Sequence, residues 1–240
     1  MGSSNNIELP RASIAVIVPI LNEARVLKQL IDQLMRQSFD EILLIDGGST
    51  DGSAAIAENE LAKHSKKSSC RVIHSPRGRA TQMNQGATQA KSQVLLFLHA
   101  DTRLPAQATR LITQALSSGY CWGRFDVHLN SEKFFYRVIE WAMNLRSRVS
   151  GIATGDQCIF VKREIFKQLG GYATIPVMED IELSKCLKKL QHPVRIQDAV
   201  YTSTRRWDDK GIVRTLLTMW GLRLLYWLKV KPSILARYYP

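Results

Sequence analysis

Residues 42–52 read Ile-Leu-Leu-Ile-Asp-Gly-Gly-Ser-Thr-Asp-Gly, and this stretch decides which fold the chain can adopt. Four consecutive apolar residues predict a short strand that is buried on both faces. The glycines and Asp51 predict a tight turn, and the residues after Gly52 predict a helix over Ser53–Ala62. A strand, a turn and a helix in this order form the unit of a parallel sheet covered by helices.

The same alternation extends on both sides of this stretch. Before it, Ile14–Val18 is a β-branched run that predicts a strand, and the apolar spacing within Glu23–Arg36 predicts a helix. After it, strands are predicted at Arg71–His74, Val94–Leu98, Cys121–Leu129, Asp156–Val161 and Val194–Ile196, and helices at Thr81–Lys91, Pro105–Leu116, Phe134–Arg146, Arg163–Leu169, Asp180–Leu190 and Lys210–Lys231. We therefore predict an α/β fold with a mostly parallel sheet flanked by helices, followed by a C-terminal apolar and basic helix.

The organisation of the chain predicts one main domain. No linker rich in Pro, Gly or Ser and no internal repeat divides it. Residues 1–12 are dominated by Ser, Asn and Pro, which predicts a disordered N-terminus. We expect the domain at 13–208 and a helical extension at 209–240.

The 240-residue chain is strongly basic, with a formal net charge of +12 and a pI near 9.7. This charge predicts an anionic partner, and nucleotide phosphates, anionic lipid and nucleic acid all satisfy it. The basic residues are spread along the chain and form no recognisable module, which argues against nucleic-acid binding. The four cysteines form no CxxC pair, which is typical of reduced thiols, so we expect a cytoplasmic protein.

Candidate ligand-binding residues, all but one of them polar, follow three of the predicted strands at the point where each strand ends. These residues are Pro19, Asn22, Glu23, Asp46, His99 and Asp101. Because ligands of open α/β sheets bind outside the carboxyl ends of the strands, we expect the three groups to converge. Asp46 can accept hydrogen bonds from a base or a ribose, and Asp101 can hold a hard divalent cation that bridges two phosphates. A plain turn is the alternative for each.

Three further motifs carry charge that could serve a ligand. Arg77 and Arg79 lie in a loop ahead of a helix, where guanidinium groups suit a phosphate, although a solvated loop is the alternative. Glu179 and Asp180 open a helix, and a carboxylate there either complements the helix dipole or serves as a general base toward a hydroxyl. Arg205–Trp207 pairs two cations with an indole, either as a phosphate clamp beside a stacking face or as surface packing.

The C-terminal segment 210–231 is rich in Leu and Trp. Arg214 and Arg223 interrupt it, so it is a poor candidate for a membrane-spanning helix. An interfacial helix that lies on lipid fits the pattern, which predicts a peripheral membrane contact. A helix packed on the domain or on a second subunit fits it equally well.

Taken in order, these motifs resemble the family 2 inverting glycosyltransferases, which have the GT-A nucleotide-binding fold. The resemblance runs from Ile14 to about Trp207 and is closest to small soluble bacterial members. It rests on Val18-Pro19 with Asn22-Glu23, Ile45-Asp46-Gly-Gly-Ser-Thr-Asp51-Gly, Gly78-Arg-Ala-Thr-Gln-Met-Asn84, Leu98-His-Ala-Asp-Thr102, Gly155-Asp156-Gln157, Glu179-Asp180 and Arg205-Arg206-Trp207. His99 stands where the family's DxD motif has its first Asp, and Arg205-Arg206-Trp207 is a loose version of its QxxRW signature.

The resemblance implies a donor site for a nucleotide-diphosphate sugar. Arg77 or Arg79 would approach the donor. The nucleoside pocket would be lined by Pro19, Asn22, Glu23 and Asp46.

The resemblance also implies a metal-assisted transfer to the hydroxyl of an acceptor. Asp101, with His99 beside it, would bind Mn²⁺ or Mg²⁺ at the diphosphate. Asp180 would take the proton of the hydroxyl as it attacks the anomeric carbon and inverts it. Arg206 and Trp207 would steady the leaving diphosphate or the acceptor. The apolar and basic C-terminal segment suggests that this acceptor is lipid-linked.

Two other classes of function compete with this interpretation. A sugar-phosphate nucleotidyltransferase would need a glycine-rich loop with a basic residue after the first strand, where this chain has Pro19-Ile-Leu-Asn-Glu23. A noncatalytic protein that binds membrane surfaces would use the basic C-terminal segment, but it would not need the acidic positions.

Overall fold

One eight-stranded sheet organises the computed structural model, which describes residues 11–64, 69–204 and 211–239. The strands are β1 (Ile14–Ile20), β2 (Glu41–Asp46), β3 (Ser69–His74), β4 (Val94–Phe97), β5 (Thr102–Arg103), β6 (Trp122–Leu129), β7 (Phe160–Lys162) and β8 (Val194–Thr202). The helices are α1 (Ala24–Met35), α2 (Ser53–Ala62), α3 (Arg79–Gln89), α4 (Ala108–Ser117), α5 (Phe134–Ser150), α6 (Arg163–Gln168), α7 (Glu179–Leu190), α8 (Ile212–Trp227) and α9 (Pro232–Leu235).

The strands lie in the order β3-β2-β1-β4-β7-β6-β8-β5. The pairs β1–β2, β2–β3, β1–β4 and β6–β8 are parallel, whereas β7 is antiparallel to both β4 and β6, and β5 is antiparallel to β8. It follows that β1, β4, β6 and β8 all point the same way. Their carboxyl ends therefore meet at one edge of the sheet, where ligands of α/β sheets bind.

Alternation along β1 shows how the sheet divides the core. Ile14, Val16, Val18 and Ile20 pack into one buried cluster with α1, and Ala15 and Ile17 pack into a second cluster with α3 on the other face. Side chains of a strand point to alternate faces, so both faces of this strand are covered. Gly86 lets α3 approach closely, since a Cβ there would lie 2.5 Å from Cγ2 of Ile17.

The structure confirms the predicted α/β fold with a mostly parallel, helix-flanked sheet, but it corrects one strand. Residues 156–161, which we predicted as a strand, divide into a 3₁₀ turn at Gly155–Gln157 and the start of β7 at Phe160. The amide of Gln157 folds back to accept a hydrogen bond of 3.2 Å from the N–H of Thr154, which holds the turn. The apolar run that predicted the strand is real, but only its last part pairs with β4 and β6.

The C-terminal segment forms α8 and the short α9. Leu222 and Leu235 pack with Val177, Met178 and Ile181 at the start of α7, so the segment is joined to the main body. Within the residues that the structure describes, no helix is long and apolar enough to cross a membrane. The predicted disordered segment 1–12 and the signature Arg205-Arg206-Trp207 lie, apart from Arg11 and Ala12, outside the described residues.

Candidate functional site

A cavity of about 620 Å³ opens at the edge of the sheet where β1, β4, β6 and β8 end. Ile20, His99, Leu129 and Thr202, which lie at or just after those ends, all contribute to its wall. The cavity brings together seven of the residues that the sequence predicts for the site, namely Pro19, Glu23, Arg77, Arg79, His99, Asp101 and Asp180. It therefore combines arginines, carboxylates and a histidine in one space.

Two predicted site residues, Asn22 and Asp46, shape the turns behind the cavity and do not line it. The buried carboxylate of Asp46 accepts hydrogen bonds from the N–H groups of Gly48 at 3.1 Å and Ser49 at 3.2 Å. Asn22 has a positive φ of 57°, and its Oδ1 accepts a hydrogen bond of 2.9 Å from the N–H of Thr50. Both side chains thus fix the two loops that follow β1 and β2.

The loop after β1 is held against the start of α2 by hydroxyl and carboxylate groups. The N–H of Glu23 donates to Oγ of Ser53 at 2.8 Å, and the N–H of Ala24 donates to Oδ2 of Asp51 at 3.1 Å. The hydrogen bond from the hydroxyl of Ser53 lowers the pKa of Asp51, because it favours the ionised carboxylate. Asp51 therefore has a structural position in a turn, and Glu23 is presented to the cavity by this scaffold.

Gln82 is a buried cavity residue that the sequence analysis did not single out. Its Nε2 donates to the carbonyl of Ile20 at 2.9 Å and to the carbonyl of Ile45 at 2.7 Å. One amide group on α3 thereby links the ends of β1 and β2. Gln82 lies within the motif Gly78-Arg-Ala-Thr-Gln-Met-Asn84, and this position was the only indication of a role in the site. The sequence does not indicate that its side chain reaches the sheet.

The start of α3 and the start of α7 meet across the cavity through Arg79 and Glu179. Nη1 of Arg79 lies 3.4 Å from Oε1 of the buried Glu179. Burial raises the pKa of Glu179, and the neighbouring charge of Asp180 raises it further. Gly78 precedes α3 with a φ of 141°, a conformation that L side chains rarely adopt. The second arginine of this loop, Arg77, is exposed at the rim.

Asp180, the second residue of α7, is held by two backbone amides. Its Oδ2 accepts a hydrogen bond of 2.8 Å from the N–H of Gly155, and its Oδ1 accepts one of 2.7 Å from the N–H of Ile181. The N-terminal end of a helix favours negative charge, so the ionised carboxylate suits this position. A carboxylate with a fixed direction at a cavity wall can accept a proton from a bound hydroxyl.

His99 and Asp101 provide donors suited to a divalent cation. Asp101 offers a carboxylate to the cavity, and Nδ1 of His99 lies 3.3 Å from Oδ1 of Asp156. The Nε2 atom of His99 faces the space that a Cβ at Gly155 would fill, at 2.4 Å from the position of that atom. A carboxylate that contacts one ring nitrogen is a usual partner of a metal-binding histidine, and here the other nitrogen lies against Gly155.

The described residues contain no group of three or more His, Cys, Asp or Glu side chains that could hold a metal ion by themselves. The arrangement of His99 and Asp101 fits instead a metal ion that takes its remaining ligands from a bound substrate. Mg²⁺ is commonly bound by one or two protein carboxylates together with the phosphates of a substrate. The site therefore suits a cation that is shared with a diphosphate.

Residues 15–170 match the sequence profile described as Glycosyl transferase family 2. The chain belongs to this family. The matched region contains β1 to β7, and hence Glu23, Arg79 and Asp101, whereas α7 with Asp180 lies beyond it.

Among curated relatives, this family 2 protein is similar to a PGL/p-HBAD biosynthesis glycosyltransferase of Mycobacterium bovis. The two are 32% identical over 169 residues, which cover 66% of this chain and 62% of the relative. The chain thus spans less than two thirds of the length of that relative.

Two solved structures share the fold at low sequence identity. The mannosyltransferase PcManGT from Pyrobaculum calidifontis, in complex with GDP-Man and Mn²⁺, has a TM-score of 0.65 and 20% identity, over 80% of this chain and 56% of the other. Residues 1–349 of S. aureus TarS in complex with UDP-GlcNAc give a TM-score of 0.66 and 17% identity, over 80% of this chain and 58% of the other. Both support the GT-A fold for this family 2 protein.

The C-terminal part of this family 2 protein completes the wall of the cavity. Thr215, Met219 and Arg223 from α8 and Tyr239 after α9 line it, together with Met143 from α5. Thr215, Met219, Arg223 and Tyr239 belong to the predicted extension at 209–240 and Met143 to the predicted helix Phe134–Arg146, and none of the five was predicted for the site. Thr215, Met219 and Arg223 recur every four residues, which was the one signal that they share a helix face.

Proposed function

We propose that the protein transfers a sugar from a nucleotide-diphosphate sugar to the hydroxyl of an acceptor, with inversion at the anomeric carbon and with help from a divalent cation. The observation that carries the proposal is that Arg79, Asp101 and Asp180 line one cavity at the carboxyl edge of the sheet. Such a transfer requires a positive charge for the phosphates, a carboxylate for the metal ion and a base for the acceptor hydroxyl, and Arg79, Asp101 and Asp180 are the candidates for these three roles. Membership of family 2 and the fold shared with two nucleotide-sugar complexes support it.

The donor would bind between the end of β1 and the start of α3. Pro19 and Glu23 would contact the nucleoside. Asn22 and Asp46 would not contact it but would fix the two loops that form this part of the donor site. Arg77 and Arg79 would approach the phosphates, because guanidinium groups bind phosphate oxygens in pairs. Arg206 and Trp207, which lie outside the described residues, would steady the leaving diphosphate or the acceptor.

Asp101 and His99 would hold the cation at the diphosphate. A bound Mn²⁺ or Mg²⁺ would supply neutralisation of the charge that develops on the leaving group. Asp156 would orient His99 through their contact of 3.3 Å.

Asp180 would act as the general base. The acceptor oxygen forms a bond to the anomeric carbon as the bond from that carbon to the phosphate oxygen breaks, and the bonding electrons leave with the nucleoside diphosphate. The proton of the hydroxyl passes to the Asp180 carboxylate. The hydrogen bond from the N–H of Gly155 at 2.8 Å keeps the carboxylate in one orientation, which favours proton transfer from a single direction.

We further propose that the extension at 209–240 attaches a domain at 13–208 to the surface of anionic membranes on their cytoplasmic side. Leu217, Trp220 and Trp227 on α8 are 68%, 63% and 76% exposed. Residues 211–239 contain five basic and no acidic residues. An exposed apolar face beside positive charge is typical of helices that lie in a lipid interface, and it would bring a lipid-linked acceptor near the cavity.

The test of the transfer is the release of nucleoside diphosphate from a panel of nucleotide sugars with Mn²⁺. Release that disappears in Asp101→Ala and Asp180→Asn, while nucleotide binding persists in Asp180→Asn, supports the proposal. Pyrophosphate exchange with a sugar phosphate would instead support a nucleotidyltransferase. Failure to bind any nucleotide would exclude both enzymes and leave the membrane-binding alternative.

The test of the membrane contact is co-sedimentation with vesicles that contain phosphatidylglycerol. Replacement of both Trp220 and Trp227 by Ser should release the protein from the vesicles. Leu190→Ser is a matched control, because Leu190 is 54% exposed at the end of α7. Equal sedimentation of all three proteins would contradict the proposal.

A further inference from the structure

Two arginines without carboxylate partners lie beside the proposed base. Arg223 lines the cavity from α8. Arg146, on α5, lies behind the lining residues but near enough for the charges of Arg223, Asp180 and Asp156 to act on its guanidinium group. Among the described residues, neither guanidinium group takes part in an ion pair or a hydrogen bond. Nε and Nη2 of Arg146 are buried without any hydrogen-bond acceptor.

This arrangement is costly unless something binds to it. A buried polar group without a partner loses its hydration, and two like charges held together repel each other. Burial, and then the positive charge of Arg223, lowers the pKa of Arg146 to about 10.

Elsewhere in the same protein a buried arginine is compensated. Arg124 is 1% exposed, and its Nη1 lies 2.6 Å from Oδ1 of Asp126. Arg195 binds the same carboxylate from the neighbouring strand. The fold therefore supplies a carboxylate that pairs with two arginines at that place, whereas within residues 11–64, 69–204 and 211–239 none lies within ion-pair distance of Arg146 or Arg223.

We propose that Arg146 and Arg223 form a subsite for an anionic group, of the phosphate or carboxylate class, that the acceptor carries. The proposal deepens the proposed function, on which it rests, by naming a chemical feature of the acceptor. An anion bound in the cavity beside Arg223 adds negative charge near both guanidinium groups and so relieves their repulsion. It also places the acceptor in the cavity that Asp180 lines.

The walls near the pair are apolar, which adds a second requirement for the ligand. Met143 precedes Arg146 by one helical turn and Met219 precedes Arg223 by one turn, and both methionines line the cavity. These walls suit the head group of an amphiphile, whose chain would contact the methionines, while the arginines alone would also accept the anion of a free small molecule. A titration with both kinds of probe separates these sources.

The experiment is calorimetric titration of the full chain with inorganic phosphate, with decyl phosphate below its micelle concentration, and with decanol. The protein is first saturated with Mn²⁺ and with the nucleoside diphosphate that it binds, so that the donor site is filled. Arg223→Gln should weaken decyl phosphate binding about tenfold or more, the size expected for loss of a charged hydrogen bond, and Arg146→Met should also weaken it because it removes the second positive charge. Arg214→Gln is the matched control, because Arg214 is exposed on the same helix as Arg223.

The probes identify the source of the anion. Inorganic phosphate that binds as well as decyl phosphate indicates a free anion, whereas decyl phosphate that binds much more tightly indicates an amphiphile. Decanol binding should not change in any variant. Decyl phosphate that binds all four proteins alike, or none of them, overturns the subsite.

Two controls keep this result separate from folding and from the donor site. Nucleoside diphosphate binding should be unchanged in Arg146→Met and Arg223→Gln. If the unmodified protein does not bind nucleoside diphosphate, the proposed function is wrong. In that case decyl phosphate titrated into the nucleotide-free protein still decides the subsite.

Arg146→Met should keep or raise the melting temperature, because it removes an uncompensated charge. A melting temperature that falls, with decyl phosphate affinity unchanged in Arg223→Gln, would show a purely structural role and overturn the proposal.

Discussion

The N–H of Gly155 donates a hydrogen bond of 2.8 Å to Oδ2 of Asp180, and this contact joins the 3₁₀ turn before β7 to the start of α7. Gly155 also lies against the ring of His99, which follows β4. One glycine therefore connects the proposed base with the proposed metal site. The two sites cannot move independently as long as this turn keeps its position.

Gly155→Ala tests this connection directly. The added Cβ would lie 2.4 Å from Nε2 of His99 and 2.5 Å from its Cε1, so either the ring or the turn must move. We expect a fall in the rate of nucleoside diphosphate release with a smaller loss of nucleotide affinity, because the donor loops are not touched. Enzyme rates are sensitive to displacements of about 1 Å, which can cost on the order of a hundredfold.

The matched control is Gly221→Ala, in the middle of α8. A Cβ at Gly221 meets no atom within 4 Å, so the change should be neutral or stabilise the helix by up to about 1 kcal/mol. Addition of His99→Ala to Gly155→Ala should restore the melting temperature that the clash lowers. A wild-type rate in Gly155→Ala would show that the turn does not position Asp180.

Gln82 should be needed for the donor site although it is not charged. Gln82→Leu removes both hydrogen bonds to the carbonyls of Ile20 and Ile45, at 2.9 and 2.7 Å. We expect a loss of about 1–3 kcal/mol in the free energy of unfolding and a weaker affinity for nucleoside diphosphate. Gln89→Leu, on the exposed side of the same helix, should change neither quantity in denaturant and calorimetric titrations.

The fold could be predicted because its signals are local. Apolar strands that alternate with helices are visible in the sequence from Ile14 to Leu116, and the helix Ser53–Ala62 was predicted with its observed bounds. The second half is harder because β7 is antiparallel and only three residues long, and β5 only two. Such short strands form through tertiary pairing and carry no periodicity of their own.

The site could be predicted only where chemistry coincides with the end of an element. Asp101 and Asp180 each lie at such a place, and both line the cavity. Asp46 lies at one as well, but its carboxylate turns inward to the amides of its own loop, which residue type alone does not reveal. Arg146 and Arg223 lie within helices, where only the packing of α5 and α8 brings their charges together.

Glu179→Gln should change how stability depends on pH. Burial raises the pKa of Glu179, so the folded state holds that proton more tightly than the unfolded chain does. Stability of the wild type should therefore fall, relative to the Gln variant, as pH rises from below 4.5 toward neutrality. The difference should approach about 1.4 kcal/mol for each unit that separates the folded and unfolded pKa values.

Glu60→Gln is a control of opposite sign for this pH dependence. A hydrogen bond from Lys63 lowers the pKa of Glu60, so its contribution is present above pH 4.5 and is lost as pH falls. Denaturant unfolding across a pH series measures both differences. If the wild type is more stable than Glu179→Gln at neutral pH, the ion pair with Arg79 outweighs the cost of burial.

Asp156 should control metal affinity through His99. It lies 3.3 Å from Nδ1 of His99, and loss of such a carboxylate partner of a metal-binding histidine typically costs about 10–100-fold in affinity. We therefore expect Asp156→Ala to weaken Mn²⁺ binding by that amount when nucleoside diphosphate is present, as measured by electron paramagnetic resonance. Asp198→Ala, an exposed carboxylate outside the cavity, should have no effect.

The double variant His99→Ala with Asp156→Ala shows whether Asp156 acts through the histidine. If it does, the double variant should bind Mn²⁺ no more weakly than His99→Ala alone, because the second change removes a group that has already lost its target. Additive losses would make Asp156 a ligand in its own right. If His99→Ala keeps full Mn²⁺ affinity and Asp101→Ala loses it, Asp101 is the protein ligand. His99 would then serve only to hold the turn at Gly155 in position.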